Sequence, residues 1–203
     1  DYKRIRQGVG KYPIISLTPM KNPTIDTVSF DSYSGGYMIA KHFEEQGYKN
    51  FGIVSGPGDA VDAVFRKNGF VDHISEKEDL KLVWEYKGDF SSESGRDAFN
   101  DYKKQNIPNM AIFGCNDHTC FGFMKEALEA GYKIPKDFII AGYDNLSFCD
   151  NFTPELTSVA TNFDILGKRA IRTIENMVND SNEIIRQFSM VPVEIVIRSS
   201  THT

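Results

Sequence analysis

Three polar side chains of this sequence could together bind a small polar molecule. Two of them directly follow short apolar runs, and the third lies near the start of a predicted helix. Asp144 follows the run 139–143, and a carboxylate there can accept two hydrogen bonds from vicinal hydroxyl groups or an amine. Asn116 follows a second apolar run. Arg66 lies near the start of a predicted helix, where its guanidinium can bind hydroxyl or carboxylate oxygens bidentately. Because ligands of open α/β sheets bind outside the carboxyl ends of the strands, this spacing predicts a ligand site.

Each of these residues also has an interpretation that involves no ligand. Arg66 is compatible with a solvated arginine on a helix, and Asp144 is compatible with the cap of a turn. In the pair Asn116-Asp117, one residue is expected to cap the following helix, which leaves the other to face a ligand. The residue types alone leave these alternatives open.

Two aromatic residues, Phe90 and Phe163, could offer a flat apolar face to a ligand ring, although packing in a core is the commoner fate of phenylalanine. The segment Gly56-Pro57-Gly58 resembles a phosphate-binding loop only loosely. It lacks the Lys-Ser/Thr pair of a P-loop and the G-x-G-x-x-G spacing of a dinucleotide site. Nucleotide binding through this loop is therefore not predicted, and no cofactor is expected.

Catalytic and metal-binding motifs do not stand out in the sequence, which contains neither H-E-x-x-H nor G-x-S-x-G. His118 lies near Cys115 and Cys120, and an α/β enzyme that uses His118 and Cys115 is the alternative that this cluster leaves open. Residues 117, 118 and 120 share one helical turn and point in different directions, and a fourth metal ligand is not evident. We therefore predict no catalytic residue and no metal site.

Apolar runs of strand length alternate with helix-period segments along almost the whole chain. After position 116, for example, Phe121, Met124 and Leu128 recur at i, i+3 and i+7 and form one apolar stripe. Repeated strand–helix–strand units predict an α/β fold with a mostly parallel sheet flanked by helices. Strands are predicted at 13–17, 27–30, 51–54, 80–86, 110–113, 138–142 and 190–197. Helices are predicted from Ser34 to Gly47, and at 62–76, 92–105, 117–131 and 164–179.

The composition is that of a globular protein without a basic surface, since 40% of the 203 residues are hydrophobic, 25% are charged and the net charge is −5. Because no run is rich in Lys or Arg, any contact with DNA is expected to come from another segment. The three cysteines, an odd number at irregular spacing, favour buried thiols in a reducing compartment. No run approaches the ~20 apolar residues of a membrane span. We therefore expect a cytoplasmic protein that does not contact a membrane.

Taken together and in order, these motifs resemble the effector-binding region of LacI/GalR-family transcription regulators, which shares its architecture with periplasmic sugar-binding proteins. The resemblance runs from about residue 10 to the end, and it rests on the order and near-constant spacing of the motifs. One departure is Thr18, where many relatives have an acidic residue. The matching segments are Asp31 and Gly35-Gly36-Tyr37 with His42-Phe43 and Gly47-Tyr48; Gly56-Pro57 and Arg66-Lys67-Asn68-Gly69-Phe70; Gly88-Asp89-Phe90; Ala111-Ile112-Phe113 with Asn116-Asp117 and Gly122; Ile134-Pro135-Lys136-Asp137; Gly142-Tyr143-Asp144; Leu156-Thr157-Ser158-Val159; Leu166-Gly167; and Arg198-Ser199-Ser200-Thr201.

The resemblance implies a ligand site with polar clamps, a stacking aromatic ring and apolar walls. The implied polar contacts are Arg66, Asp144, Asn116 and Asp62. The implied apolar contacts are Phe90, which would stack on the ligand, and Phe163, Leu166 and Phe30, which would close the pocket.

The resemblance also implies two similar lobes, each a mostly parallel sheet flanked by helices, with the ligand in the cleft between them. Residues 1–32 and 162–190 would form the first lobe, incomplete in this chain, and residues 33–161 and 191–203 the second. A homodimer would bind DNA through an upstream helix-turn-helix that this chain does not contain, and closure on the effector would change DNA affinity. The alternative is a periplasmic sugar-binding receptor of a transport system, which a signal peptide upstream would identify.

Overall fold

The computed structural model of the protein describes residues 2–10, 12–21, 25–105, 107–179 and 187–202. Six helices and nine strands alternate along these residues. In chain order they are α1 (Tyr2–Val9), β1 (Ile15–Ser16), β2 (Asp26–Phe30), α2 (Ser32–Glu45), β3 (Asn50–Ser55), α3 (Val61–Ser75), β4 (Lys81–Lys87), α4 (Ser92–Gln105), β5 (Met110–Gly114), α5 (Asp117–Glu129), β6 (Phe138–Asp144), β7 (Thr157–Ala160), α6 (Phe163–Asn179), β8 (Phe188–Val191) and β9 (Glu194–Val196).

The chain forms two compact units, each built from two separate stretches of sequence. The smaller unit comprises Asp1–Phe30 and Asn162–Val191, and the larger comprises Asp31–Thr161 and Pro192–Thr203. Both contain a sheet in which neighbouring strands are mostly parallel. The predicted α/β fold class is confirmed.

The larger unit contains a six-stranded sheet in the order β4-β3-β5-β6-β7-β9, in which only the β7–β9 pair is antiparallel. From β3 the chain passes through α3 to β4 on one side, then through α4 to β5 on the other side. The strand order therefore reverses direction between β3 and β5. In open α/β sheets the crevice outside the carboxyl ends at such a switch point is where ligands bind.

Alternate residues of the central strands of the larger unit pack into two hydrophobic clusters, as the two-residue period of a strand requires. Met110 and Ile112 of β5 belong to the cluster that contains Trp84 and Phe123. Ala111 and Phe113 belong to the second, which includes the side chains Phe43, Phe51 and Phe70. Both faces of these strands are therefore covered by apolar side chains.

The position of α3 depends on its close packing against α2. A Cβ atom on Gly36 would overlap the carbonyl oxygen of Arg66, and one on Gly69 would overlap the carbonyl oxygen of Tyr33. Because each helix places a glycine against the backbone of the other, the two helices can pack in only one register along their axes. That register fixes the position of Arg66 relative to the end of the sheet.

The smaller unit contains a parallel sheet in the order β1-β2-β8 with α6 packed against it. Val28, Leu166 and Val191 form its buried core, with Ile15 and Phe30 packed against them. Among the described residues of the chain, no helix has the length and apolar character needed to cross a membrane.

Two local predictions differ from the structure. Helix α2 begins at Ser32 and its cap is Asp31, whose carboxylate accepts from the Ser34 backbone N–H at 3.0 Å, so Ser34 is not the cap. The apolar run 190–197, predicted as one strand, is divided between β8 and β9 of two different sheets, with a break at Pro192. Proline lacks the N–H that a continuous strand needs to donate.

Candidate functional site

Four of the predicted site residues lie together at the carboxyl end of the larger unit's sheet, and we call them the site cluster. Phe90 follows β4, Asn116 follows β5 and Asp144 ends β6, while Arg66 reaches toward them from α3. The parallel strands bring these residues to one edge although up to 78 positions separate them in the sequence (144 − 66 = 78).

Arg66 connects the members of this cluster. Its Nη1 donates to the carbonyl oxygen of Cys115 at 2.6 Å, and its Nη2 lies 3.3 Å from Oδ1 of Asp144. The guanidinium carbon is 3.8 Å from the ring centre of Tyr143 and 5.8 Å from that of Phe90. The side chain is only 12% exposed, yet its Nε has no hydrogen-bond partner among the described residues. A largely buried cation therefore retains a donor that no described residue satisfies.

Asp144 is the acidic partner of Arg66, and its surroundings are costly for a charged carboxylate. Burial raises the pKa of Asp144 to about 6, an effect that the Arg66 guanidinium opposes. Its φ angle is 108°, and that of the next residue, Asn145, is 53°. L-residues seldom adopt such left-handed angles, and they persist where surrounding contacts impose them, often at binding sites.

Asn116 supports the cluster rather than presenting two free polar atoms. Its Oδ1 accepts from the Thr119 backbone N–H at 3.0 Å, which makes it the cap of α5. Its Nδ2 donates to the carbonyl oxygen of Phe90 at 2.9 Å. Phe90 has a φ of 72°, another left-handed angle, and its ring is only partly buried. Asn116 therefore fixes the backbone that holds the aromatic ring.

The structure gives Asp117 a role that neither sequence interpretation anticipated. The expectation that one member of the Asn116-Asp117 pair caps the helix is right for Asn116, but Asp117 does not face a ligand, because its side chain is buried. It accepts from the Ser158 hydroxyl at 2.6 Å and from the Leu146 N–H at 2.8 Å. Burial raises the pKa of Asp117, and these hydrogen bonds oppose the increase.

Asp62 and Tyr143 extend the site cluster in the direction of α2. Asp62 accepts from the Ser32 hydroxyl at 3.0 Å, and its pKa is raised by burial. Tyr143 was not among the predicted residues, although its ring lies closer to the Arg66 guanidinium than the ring of Phe90 does. Its hydroxyl is buried without a partner among the described residues, and burial raises its pKa to about 12. The only sequence signal was an aromatic residue directly before Asp144.

The three remaining predicted contacts belong to the smaller unit. The rings of Phe30 and Phe163 meet edge to face at a centroid distance of 5.2 Å, and Phe163 is 66% exposed. Leu166 is 5% exposed and packs in the core of that unit. Their role in ligand binding stays a prediction.

The surroundings of Cys115 and His118 do not favour the alternative of an enzyme that uses these two residues. Cys115 and Cys120 are buried, and burial raises the pKa of both thiols, that of Cys115 to about 12. His118 is exposed, and its ring lies 5.3 Å from that of Phe148. Within the part of the chain that the structure describes, no three His, Cys, Asp or Glu side chains are grouped to hold a metal ion.

Residues 40–201 match the model of the family described as periplasmic binding protein-like domain. The HTH-type transcriptional repressor PurR of Mannheimia succiniciproducens is 32% identical over 180 residues, which are 88% of this chain and 54% of that protein. The chain thus spans about half the length of the curated relatives that it matches.

Solved structures with the same fold include a LacI family transcriptional regulator from Enterococcus faecalis V583 with bound ribose. It is 28% identical, with a TM-score of 0.85, and the match covers 98% of this chain and 73% of that chain. The lac repressor dimer bound to operator and the anti-inducer ONPF has a TM-score of 0.88 at 21% identity, with coverage of 98% and 60%. At that identity the second likeness concerns the fold alone.

Proposed function

Because this chain belongs to the family of periplasmic binding protein-like domains, as an effector-binding domain of the LacI/GalR type, we propose that it is the ligand-sensing part of a DNA-binding transcription repressor. The proposed ligand is small, polar and sugar-like, and it binds at the site cluster. The similar regulator from Enterococcus faecalis was solved with ribose bound, which makes a pentose the first compound to test.

The observation that carries this proposal is the ion pair between Arg66 and Asp144 beside a partly exposed aromatic ring. A sugar has hydroxyl groups that donate and accept, and it has apolar C–H faces. Asp144 can accept from its hydroxyls, the Arg66 guanidinium can donate to them, and Phe90 can contact the apolar face. The Cys115 carbonyl holds Arg66, and Ser158 holds the backbone directly after Asp144, so a ligand meets groups that are already oriented.

We also propose the partners of the whole protein. A repressor assembled as a homodimer would bind DNA through a segment outside this chain, in the cytoplasm. The effector can change DNA affinity only by the difference between its affinities for the two states of the regulator, and such couplings are typically ~1–3 kcal/mol. Phe30, Phe163 and Leu166 remain predicted contacts of the same ligand.

The test is a thermal-shift screen against pentoses, hexoses, sugar phosphates and purines, on the wild type and on the variants Arg66→Ala and Asp144→Ala. A ligand of the site raises the unfolding temperature of the wild type, because it binds only the folded state, and both variants lose that increase. Asn68→Ala, at an exposed position on the same helix as Arg66, is the matched control and should respond like the wild type. Equal stabilisation of the wild type and both site variants would refute the proposed site.

A further inference from the structure

We propose that Asp117 is a positioning residue, whose buried carboxylate fixes the backbone after Asp144 and so aims the Asp144 carboxylate at Arg66. The importance of this for ligand binding rests on the function proposed above, whereas the geometry itself concerns the ligand-free protein. Asp117 is fully buried and is therefore not open to a ligand from solvent.

The carboxylate of Asp117 is linked by hydrogen bonds to two consecutive backbone N–H groups. Oδ2 accepts directly from the N–H of Leu146 at 2.8 Å. Oδ1 accepts from the hydroxyl of Ser158 at 2.6 Å, and the same hydroxyl accepts from the N–H of Asn145 at 3.0 Å. The two residues that follow Asp144 are therefore fixed to one anionic group, one directly and one through Ser158.

This fixation matters because the backbone concerned is held in an unfavourable conformation. Asp144 has a φ of 108°, which side chains other than glycine disfavour, and Asn145 has a φ of 53°, a left-handed angle that asparagine tolerates better than most residues. Without an external restraint, the segment would relax toward negative φ and turn the Asp144 side chain away. Hydrogen bonds to a charged acceptor are stronger than those between neutral groups, which suits Asp117 to this task.

The glycine of the Gly142-Tyr143-Asp144 motif makes room for this carboxylate. A Cβ atom on Gly142 would overlap Oδ1 of Asp117 and would lie 3.2 Å from Leu156. Any larger residue at position 142 would displace the carboxylate from Ser158. Asp117 is the first residue of α5, and its neighbour Asn116 donates to the carbonyl oxygen of Phe90. Two adjacent residues after β5 therefore hold the backbone at Phe90 and the backbone after Asp144.

The decisive variant is Ser158→Ala, which removes the link between Asp117 and the N–H of Asn145. Ser200→Ala is the matched control, because Ser200 is an equally buried hydroxyl, in a turn after β9, that accepts from the Thr157 N–H and donates to the Ile140 carbonyl of the same sheet. Both variants lose two buried hydrogen bonds, but only the first adjoins Asp144. A purely structural role for Ser158 predicts the same behaviour for both.

The readout is the titration of the Asp144 carboxyl carbon, followed by NMR in the folded, ligand-free protein. In the wild type it titrates near its raised pKa of about 6. Ser158→Ala changes both the burial of the carboxylate and its distance from Arg66, and so shifts that pKa by about half a unit or more, whereas Ser200→Ala leaves it in place. An unchanged pKa in Ser158→Ala, or equal shifts in both variants, would overturn the proposal.

Asp117→Asn and Ser158→Thr are further variants that keep the test decisive if Ser158→Ala fails to fold. An asparagine has a single side-chain oxygen, so it cannot accept from both Leu146 and Ser158 as Asp117 does, and the pKa of Asp144 changes as well. Because this variant also removes a negative charge that raises the pKa of Asp144, the Ser158 variants, which keep that charge, separate positioning from the direct charge effect. Ser158→Thr keeps the hydroxyl and restores the wild-type value. An unchanged pKa in Asp117→Asn would also refute the proposal.

A ligand experiment separates this inference from the proposed function. If ribose binds the wild type, Ser158→Ala weakens its binding about tenfold, as loss of an oriented charged contact does, and Ser200→Ala does not. If ribose does not bind the wild type, the proposed pentose is wrong, and the titration still decides the role of Asp117.

Discussion

Two polar clusters of the larger unit differ in how completely their hydrogen bonds are satisfied. One is the site cluster. The other, which we call the tail cluster, ties the end of the chain to the sheet and to α2, and it consists of His42, Thr157, Ser200 and Thr201.

The tail cluster is buried and its hydroxyl groups all have partners. Nε2 of His42 lies 2.8 Å from the Thr201 hydroxyl, which lies 2.7 Å from that of Thr157. Ser200 donates to the carbonyl of Ile140 at 2.7 Å and accepts from the Thr157 N–H at 2.9 Å. Burial lowers the pKa of His42, which favours the neutral ring. This cluster has no capacity left for a ligand.

The site cluster is charged, partly exposed and incompletely satisfied. Arg66 has a buried Nε without a partner among the described residues, and Asp144 is 25% exposed with an elevated pKa. Two of its members, Phe90 and Asp144, have left-handed backbone angles. The comparison shows two kinds of polar cluster. Polar groups whose hydrogen bonds are all satisfied within the protein stabilise the fold, whereas groups with unsatisfied donors or acceptors indicate where a ligand would bind.

Thr157→Val should have the largest effect, and that effect should be on stability. The variant removes a hydroxyl that accepts from the part-buried Arg198 N–H at 2.8 Å and lies 2.7 Å from the buried Thr201 hydroxyl. The Arg198 N–H loses this acceptor, and the Thr201 hydroxyl is left with its contact with His42. We expect a loss of ~2–3 kcal/mol in the free energy of unfolding, measured by urea denaturation. Ser75→Ala, which removes an exposed helix hydroxyl, should change it by less than about 0.5 kcal/mol. A small effect of Thr157→Val would mean that the two clusters do not differ as described.

Arg66→Lys should affect binding more than stability. A lysine keeps the charge but loses the planar fork that spans the Cys115 carbonyl and Asp144 while stacking on Tyr143. We expect the affinity for the ligand found in the screen to fall by roughly 30-fold, equivalent to about 2 kcal/mol, when measured by calorimetry. Retention of wild-type affinity would show that charge alone matters at this position.

Asp144→Asn should change how stability depends on pH. Asp144 has a raised pKa of about 6 in the folded state against 3.8 ordinarily, so the folded protein binds more protons between these values. Its contribution therefore makes stability fall as pH rises from about 4 to about 6. Asparagine removes that fall, on the order of 1–2 kcal/mol across the window.

The comparison of wild type with Asp144→Asn isolates this group, because the other titrating residues occur in both proteins. Asp62 and Asp117 also have raised pKa values, while that of His42 is lowered and acts in the opposite direction. Urea denaturation at several pH values gives the difference. Parallel stability curves for the two proteins would contradict the raised pKa.

Phe90→Leu should have the smallest effect. Leucine keeps an apolar surface at the site but loses the flat ring, and ring contacts beyond buried area are worth ~0.5–1.5 kcal/mol. We expect a several-fold loss of affinity in the same calorimetric titration, with little change in stability because the ring is only partly buried. A loss of affinity as large as that of Arg66→Lys would show that Phe90 contributes as much to binding as Arg66 does.

The fold class could be predicted from sequence because the signals are local. The buried strands β5 and β6 are continuous apolar runs, and the helix between them ends before Gly131, whose φ of 86° suits glycine. Strand β7 was not predicted as an element, since two of its four residues are the polar Thr157 and Ser158. They are buried because partners from distant parts of the chain satisfy them.

The proximity of Arg66, Phe90, Asn116 and Asp144 could be predicted from strand-end positions and family resemblance. Their exact contacts could not. The orientation of Asp117 into the interior depends on donors that lie 29 and 41 positions away, and no local pattern encodes such pairings. Tyr143 was missed for the same reason, because a buried tyrosine in a strand looks like any core residue until the Arg66 contact is known.

The most direct test of the account is NMR mapping of the binding site with the ligand that emerges from the screen. We predict that saturating ligand shifts the signals of the Arg66 Nε–H, Phe90 and Asp144, while those of His42, Thr157 and Thr201 stay in place. Shifts concentrated in the tail cluster, or saturable binding that leaves Arg66 and Asp144 unperturbed, would contradict the assignment of the site.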